Sequence, residues 1–326
     1  MLEHIRNGAW GARLSFGALL LVCSEWVVWQ TPLDFTLLEW LGIAAIAVAL
    51  AALTLDLIAR FHINDATGVL FVAGLYGLLD ATLISHITAR DLPLSLIVRP
   101  LGAQPLAFLL ALGAFMWLAG RRAPLPLAAG VALIAGLAWG VWIRWFPVVS
   151  DEPIPAVSVS TGLAAAGIGL AACGLLRWIW PPLAIARRED WLLERPEAAA
   201  AGGVLLGALV WGAAQDLIDA PGLLIVAMLG AYLLMLLNMT LPARRPPSLL
   251  GTITPPRRPA LIPWLGAVAI FLAAGWIGHA LPGSGDRSVQ SDVLFGGLTV
   301  FGAAWLPAAS IVAGVRTFVQ LAREGF

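Results

Sequence analysis

The stretch ATGVLFVAGLYGLLDATLISHIT, residues 66–88, is nearly all apolar and yet holds Asp80 and His86. At a rise of about 1.5 Å per residue, some 20 apolar residues cross the ~30 Å hydrocarbon core of a bilayer as one helix. Comparable runs recur near 11–30, 36–59, 101–119, 125–146, 159–180, 198–218, 221–240, 261–281 and 293–318. The whole chain agrees: of 326 residues, 60% are hydrophobic and only 12% charged. Mean hydropathy is +0.90. A water-soluble domain carries roughly 25% charged residues to cover its surface. The expected fold class is therefore all-α: a polytopic integral membrane helix bundle of about ten transmembrane helices, one transmembrane domain over 1–326 with no soluble domain.

Arginine placement orients that bundle. All 19 basic residues are Arg, which excludes any chemistry that needs a lysine. Counted by loop, Arg90, Arg99, Arg144 and Arg287 fall on one side and the other fifteen on the opposite side. The positive-inside rule then places both termini in the cytoplasm, as an even span number requires, and the expected location is a cell membrane, with a bacterial cytoplasmic membrane foremost. The N-terminal run MLEHIRNGAWGARLSFGALLLVCSEWVVWQ has no small-residue cleavage site and reads as a retained first helix. Net charge is zero, so no field draws nucleic acid; the expected partners are the lipid bilayer and a small-molecule substrate or other membrane subunits.

With that orientation the intramembrane polar residues gather in the outer half. Glu25 lies in the first span, Asp80 and His86 in the third, Arg144 at the end of the fifth, Asp216 in the seventh and His279 in the ninth. Gln104 opens the fourth span, and Arg99 in LPLSLIVRP just before it suggests a re-entrant or interfacial piece. An ionisable group at membrane depth costs about 3 kcal/mol on insertion scales, so it faces the bundle interior and usually carries a role. Glu25, Asp80, His86, Arg144, Asp216 and His279 are accordingly the candidates for binding a substrate or a proton. The inner half offers mainly Asp56, read as an interfacial i,i+4 pair with Arg60. Asp219, ahead of APG, reads as a helix cap.

Other features have plainer readings. Trp29, Trp142 and Trp145 near one boundary, and Trp178, Trp180 and Trp191 near the other, read as interfacial belts. Ala132, Gly136 and Gly140, the GxxxG of Gly203 and Gly207, and GLAAAGIGLAACG (162–174) read as faces for close helix approach. Cys23 and Cys173 read as small buried residues. A faint echo between residues 11–122 and 198–318 suggests a parallel repeat. The chain holds no HExxH, CxxC, P-loop or GxSxG motif, so no metal or cofactor is expected.

In span count, length and orientation the chain resembles the drug/metabolite transporter group, with no shared motif. Three functions fit: a small-molecule carrier with a polar site in the outer half; a structural or accessory subunit of a larger complex; and an enzyme acting on a lipid-linked substrate at the outer leaflet.

Overall fold

Capping chemistry sets where the apolar runs begin. Thr36 and Glu39 form a reciprocal capping box, the Thr36 N–H donating to Glu39 Oε2 at 2.7 Å. Asp65 and Asp219 each accept a first-turn backbone N–H, from Gly68 at 3.1 Å and Gly222 at 3.0 Å. Asp219 is thus the cap its sequence context suggests. Glu194 and Glu197 form a further capping box on either side of Pro196.

The computed structural model describes residues 2–28, 36–86, 94–120, 124–149, 158–179, 188–240, 248–253, 261–281 and 289–324. In chain order these form α1 (Leu2–Leu21), which runs on through a π-helical turn at Val22–Val28, α2 (Leu37–Arg60) and α3 (Ala66–Leu83). A short α4 (Leu94–Val98) passes through a second π turn, Arg99–Ala103, into α5 (Gln104–Leu118). There follow α6 (Leu125–Val149), α7 (Val159–Ile179), α8 (Arg195–Ala214), α9 (Ala220–Met239), α10 (Leu261–Ala280) and α11 (Val289–Glu324). None of the described residues is in a strand. Counting α4 and α5 as one, ten stretches are long and apolar enough to cross a membrane, which is compatible with a multi-pass membrane protein.

Several boundaries differ from the sequence reading: α1 begins at Leu2 rather than near 11, α8 ends at Ala214 rather than near 218, and α11 runs over Val289–Glu324 rather than 293–318. Two more bear on the polar residues. The third helix stops at Leu83 rather than near 88, because Ile84 N–H and Ser85 N–H both turn back to the Asp80 carbonyl, at 2.9 and 3.4 Å. His86 then leaves the helix in the left-handed region, φ 52°. The segment before the fourth span is no separate re-entrant piece: Leu94–Leu118 is one continuous helical stretch with a π turn inside it.

The core lies among α1, α3 and α5. Phe16, Phe108 and Phe115 pack ring against ring, with centroids 5.7 and 5.1 Å from Phe16, and the Tyr76 ring joins Phe108 at 5.3 Å. Glycines make the closest approaches. A Cβ on Gly77 would run into the Pro100 carbonyl oxygen, so only glycine lets α3 press against the second π turn. Likewise Gly136 and Gly140 of α6 sit on the Phe271 and Gly275 carbonyls of α10, as their spacing suggests. Gly203 and Gly207 behave differently: among the described residues nothing lies within 4 Å of a Cβ built on either.

The two ends of the bundle are held differently. At the end that carries Glu25, Trp40 stacks edge-on against Trp26 and the Trp142 indole donates to the Val28 carbonyl. Trp142 is therefore buried structure and not part of an interfacial belt; its ring satisfies a carbonyl that the π turn frees from the helix ladder. At the opposite end, the Asp56–Arg60 pair forms as expected, with N···O 2.9 Å, and Asp56 also accepts the Leu193 N–H at 2.8 Å. Trp191 is also buried there, edge-on to Phe115 at 6.2 Å, whereas Trp178 is exposed as a belt residue would be. Trp29 and Trp180, and the side chain of Trp145, lie outside the described residues.

Candidate functional site

Local sequence brings the deepest acids together. The run VCSEWVV adopts a π turn, which widens the helix and rotates Ser24 and Glu25 inward beside α3 and α5. The run RPLGAQP, with a proline near each end, forms the second π turn and delivers Gln104 at the head of α5. The Leu101 carbonyl, in the middle of that turn, accepts the Trp305 indole N–H at 2.7 Å. Gly77 holds α3 close, and Asp80 follows it by three residues, so its side chain faces both π turns.

Ser24 is the hub of the resulting cluster. Its hydroxyl lies 2.8 Å from Glu25 Oε1, 3.2 Å from Asp80 Oδ2, 3.4 Å from Asp80 Oδ1 and 3.0 Å from Gln104 Oε1. Tyr76 completes it, its hydroxyl donating to Asp80 Oδ1 at 2.9 Å. All five side chains are buried, with Glu25 at 2%, Asp80 at 1% and Gln104 at 0% exposure.

The hydrogen-bond arithmetic of this cluster is unusual. One hydroxyl has one proton, and Ser24 meets oxygens of three different residues. An ionised carboxylate only accepts, so Ser24 and Tyr76 together cannot satisfy the oxygens they touch. The Gln104 Nε2 atom, fully enclosed, has no hydrogen-bond partner among the described residues. Arg99 starts the second π turn within electrostatic reach of Asp80. With Arg99 at +1 and Glu25 and Asp80 at −1 each, these three groups leave a formal charge of −1 when both acids are ionised. A proton shared between the carboxyls, or one monovalent cation among the oxygens, balances that charge. The proton would also supply a missing donor.

The other candidates lie elsewhere. His86 stands against α8, its ring centroid 5.9 Å from that of Trp211 and its Nε2 beside Gly212. His279 is on the last turn of α10, its backbone nitrogen against Gly140 of α6, so the two histidines stand on different helices, one against α8 and the other against α6. Asp216 is exposed just past α8, with φ 54°. Arg144 lies on α6, its side chain outside the described residues.

The sequence reading missed Ser24 and Tyr76 as partners of the acids. Their only signals were adjacency to Glu25 and an i,i+4 spacing to Asp80. It also passed over Arg13, which is 1% exposed and pairs with Glu197 at 3.2 Å while donating to the Trp191 and Leu192 carbonyls. The end of the bundle opposite Glu25 is thus less dry than its composition suggests. Cys23 and Cys173 are both buried and free. Among the described residues no group of three or more His, Cys, Asp and Glu is placed to hold a metal ion.

The class defined by this fold and site is a bundle of ten apolar, membrane-length helices built around a buried two-carboxylate centre. No protein-family model, curated protein or solved structure matches the chain.

Proposed function

We propose that the protein is a carrier in a cell membrane, whose Glu25–Asp80 pair takes up and releases one proton or monovalent cation as the bundle changes conformation. The observation that carries this reading is the shared Ser24 hydroxyl: the buried Glu25 carboxyl next to it in sequence, the buried Asp80 carboxyl facing it from α3 and the Gln104 Oε1 all meet it within 3.2 Å. Groups that compete for one proton at membrane depth are suited to binding and releasing another. The π turns support it too, since such turns insert one extra residue per helical turn and can be absorbed by a small shift in register. The fifteen-to-four division of arginines supports both termini being cytoplasmic and the pair lying toward the outer face of a bacterial cytoplasmic membrane.

Proteoliposomes adsorbed on a solid-supported membrane test this without knowledge of the cargo. A pH jump, and separately a sodium or potassium jump, should give a transient charge displacement in the wild type and none in Asp80→Asn. A flat response to all three jumps in the wild type would remove the carrier reading.

A second reading, an accessory subunit of a larger complex, draws support from the apolar lining of two cavities in the bundle and from the open α8 face around Gly203 and Gly207. It expects the flat response, together with cross-linking of cysteines placed on α8 to another subunit in native membranes. An enzymatic reading with histidine as acid–base partner finds less support, because the His86 ring lies against Trp211 and Gly212 of α8, and the carboxyl pair's own cluster is built from Ser24, Tyr76 and Gln104.

A further inference from the structure

Among the described residues, the side-chain atoms that meet the Ser24 hydroxyl are all oxygens. Glu25 Oε1, Asp80 Oδ2 and Gln104 Oε1 stand 2.8, 3.2 and 3.0 Å from it, brought in by the first π turn, α3 and the head of α5. A buried shell of carboxylate, amide and hydroxyl oxygens is the ligand set of a hard cation.

Gln104 separates cation from proton. It is 0% exposed, turns its amide oxygen to Ser24 and leaves Nε2 without a hydrogen bond among the described residues. Beside two carboxyl groups short of donors, the nitrogen would be the better partner for a proton-binding pair. An oxygen turned inward is what a cation requires.

Two counts agree. The Ser24 hydroxyl touches three residues, and its own proton serves one of those contacts. One further proton, on a carboxyl, serves a second contact and leaves the third as two acceptors face to face. Two further protons serve all three contacts, but then no carboxylate in the cluster answers Arg99, which lies within electrostatic reach of Asp80. One monovalent cation meets every inward oxygen and also brings Arg99, Glu25 and Asp80 to neutrality. A divalent ion carries the same three groups past it.

Spacing selects the size. An octahedral shell at about 2.4 Å, the oxygen distance of a sodium- or calcium-sized ion, sets adjacent oxygens about 3.4 Å apart. The oxygens around Ser24 Oγ lie 2.8–3.4 Å from it, so a small outward shift accommodates such an ion. Potassium is larger and would spread them further.

We propose that the cluster binds one sodium ion on Ser24 Oγ, Glu25 Oε1, Asp80 Oδ2 and Gln104 Oε1. Tyr76 donates to Asp80 Oδ1 at 2.9 Å and so turns Oδ2 to the ion. The proposal rests on the reading of the Glu25–Asp80 pair as an ion-binding centre and names the ion.

Equilibrium binding of radiolabelled sodium to the purified chain in detergent, with choline as the balancing cation, tests it. The wild type should bind sodium saturably, one ion per chain, with potassium competing at least tenfold less well. Asp80→Asn should abolish binding. Gln104→Met keeps the length of the side chain without its oxygen, and should weaken binding at least tenfold while melting in choline as the wild type does. Asp56→Asn, at the opposite end of the bundle, should bind normally. Absence of saturable binding in the wild type would overturn the sodium site, as would equal competition by potassium or undiminished binding by Gln104→Met. Sodium binding in detergent with a flat response in proteoliposomes would keep the site and remove the carrier. A pH-jump response without sodium binding would keep the carrier, working on protons, and overturn the sodium site.

Discussion

A serine hydroxyl has one proton to give, and that limit makes Ser24 the residue on which the candidate site turns. Asp80→Asn keeps the shape of the side chain but removes one carboxyl, so charge displacement on a pH jump should fall at least tenfold. Asp56→Asn should leave that signal intact, because Asp56 serves structure instead: it anchors the Leu193 N–H and pairs with Arg60, whose side chain is 53% exposed. Half in water, that pair is worth only about 1 kcal/mol, so its loss should appear as a small drop in melting temperature. Equal effects of the two substitutions on charge movement would sink the role given to Asp80. Ser24→Ala should cost about 1–3 kcal/mol of stability, the penalty for stripping a donor from buried oxygens, read by thermal melting in detergent.

Among the helices, the closest packing is where substitution costs most. Gly140→Ala puts a methyl into the Gly275 carbonyl, which is backbone and cannot step aside. The α6–α10 pair must then separate, and a loss of several kcal/mol is expected, in the range of overpacked cores. Gly207→Ala, in a GxxxG that looks identical in sequence, meets nothing and should be neutral or slightly stabilising through better helix propensity. Parallel melting curves of the two variants check this; a similar loss in both would mean that the α8 face is packed after all. The same contrast shows what spacing can and cannot reveal. Small residues at i,i+4 mark a face suited to close approach, but whether a helix arrives there depends on the partner's position.

Across the whole molecule, Arg13 and Glu197 tie the first helix to α8, 184 residues away. Arg13→Met removes the cation from Glu197, which keeps the Trp10 indole N–H at 2.8 Å and the Glu194 N–H at 3.1 Å, and strips two carbonyls of their donor; a loss of about 3 kcal/mol is expected for breaking a buried pair from one side. Glu197→Gln keeps an acceptor and should cost less. Melting of both variants, with the order reversed, would show that the pair is not what holds these helices.

Helix positions were legible in the sequence because they follow from composition alone. A run of about 20 apolar residues between capping groups and arginines has one stable form in a bilayer, and the helices at Leu37, Ala66, Leu125, Val159 and Leu261 begin where their apolar runs do. The fourth span begins earlier, at Leu94, because a π turn carries the helix through Pro100. The candidate residues Glu25 and Asp80 were legible for the same reason as the helices, as charges where charge is expensive. Their meeting was not. It depends on two π turns, on Gly77 lying against a carbonyl and on tryptophans from α6 and α11 capping carbonyls more than a hundred residues away. The same holds for the burial of Trp142, Trp191 and Arg13 and for the placing of His86 against α8 and of His279 against α6. Hydropathy records how each helix meets lipid, one residue at a time; which polar groups share a proton is set by how helices meet one another, and only the tertiary structure decides that.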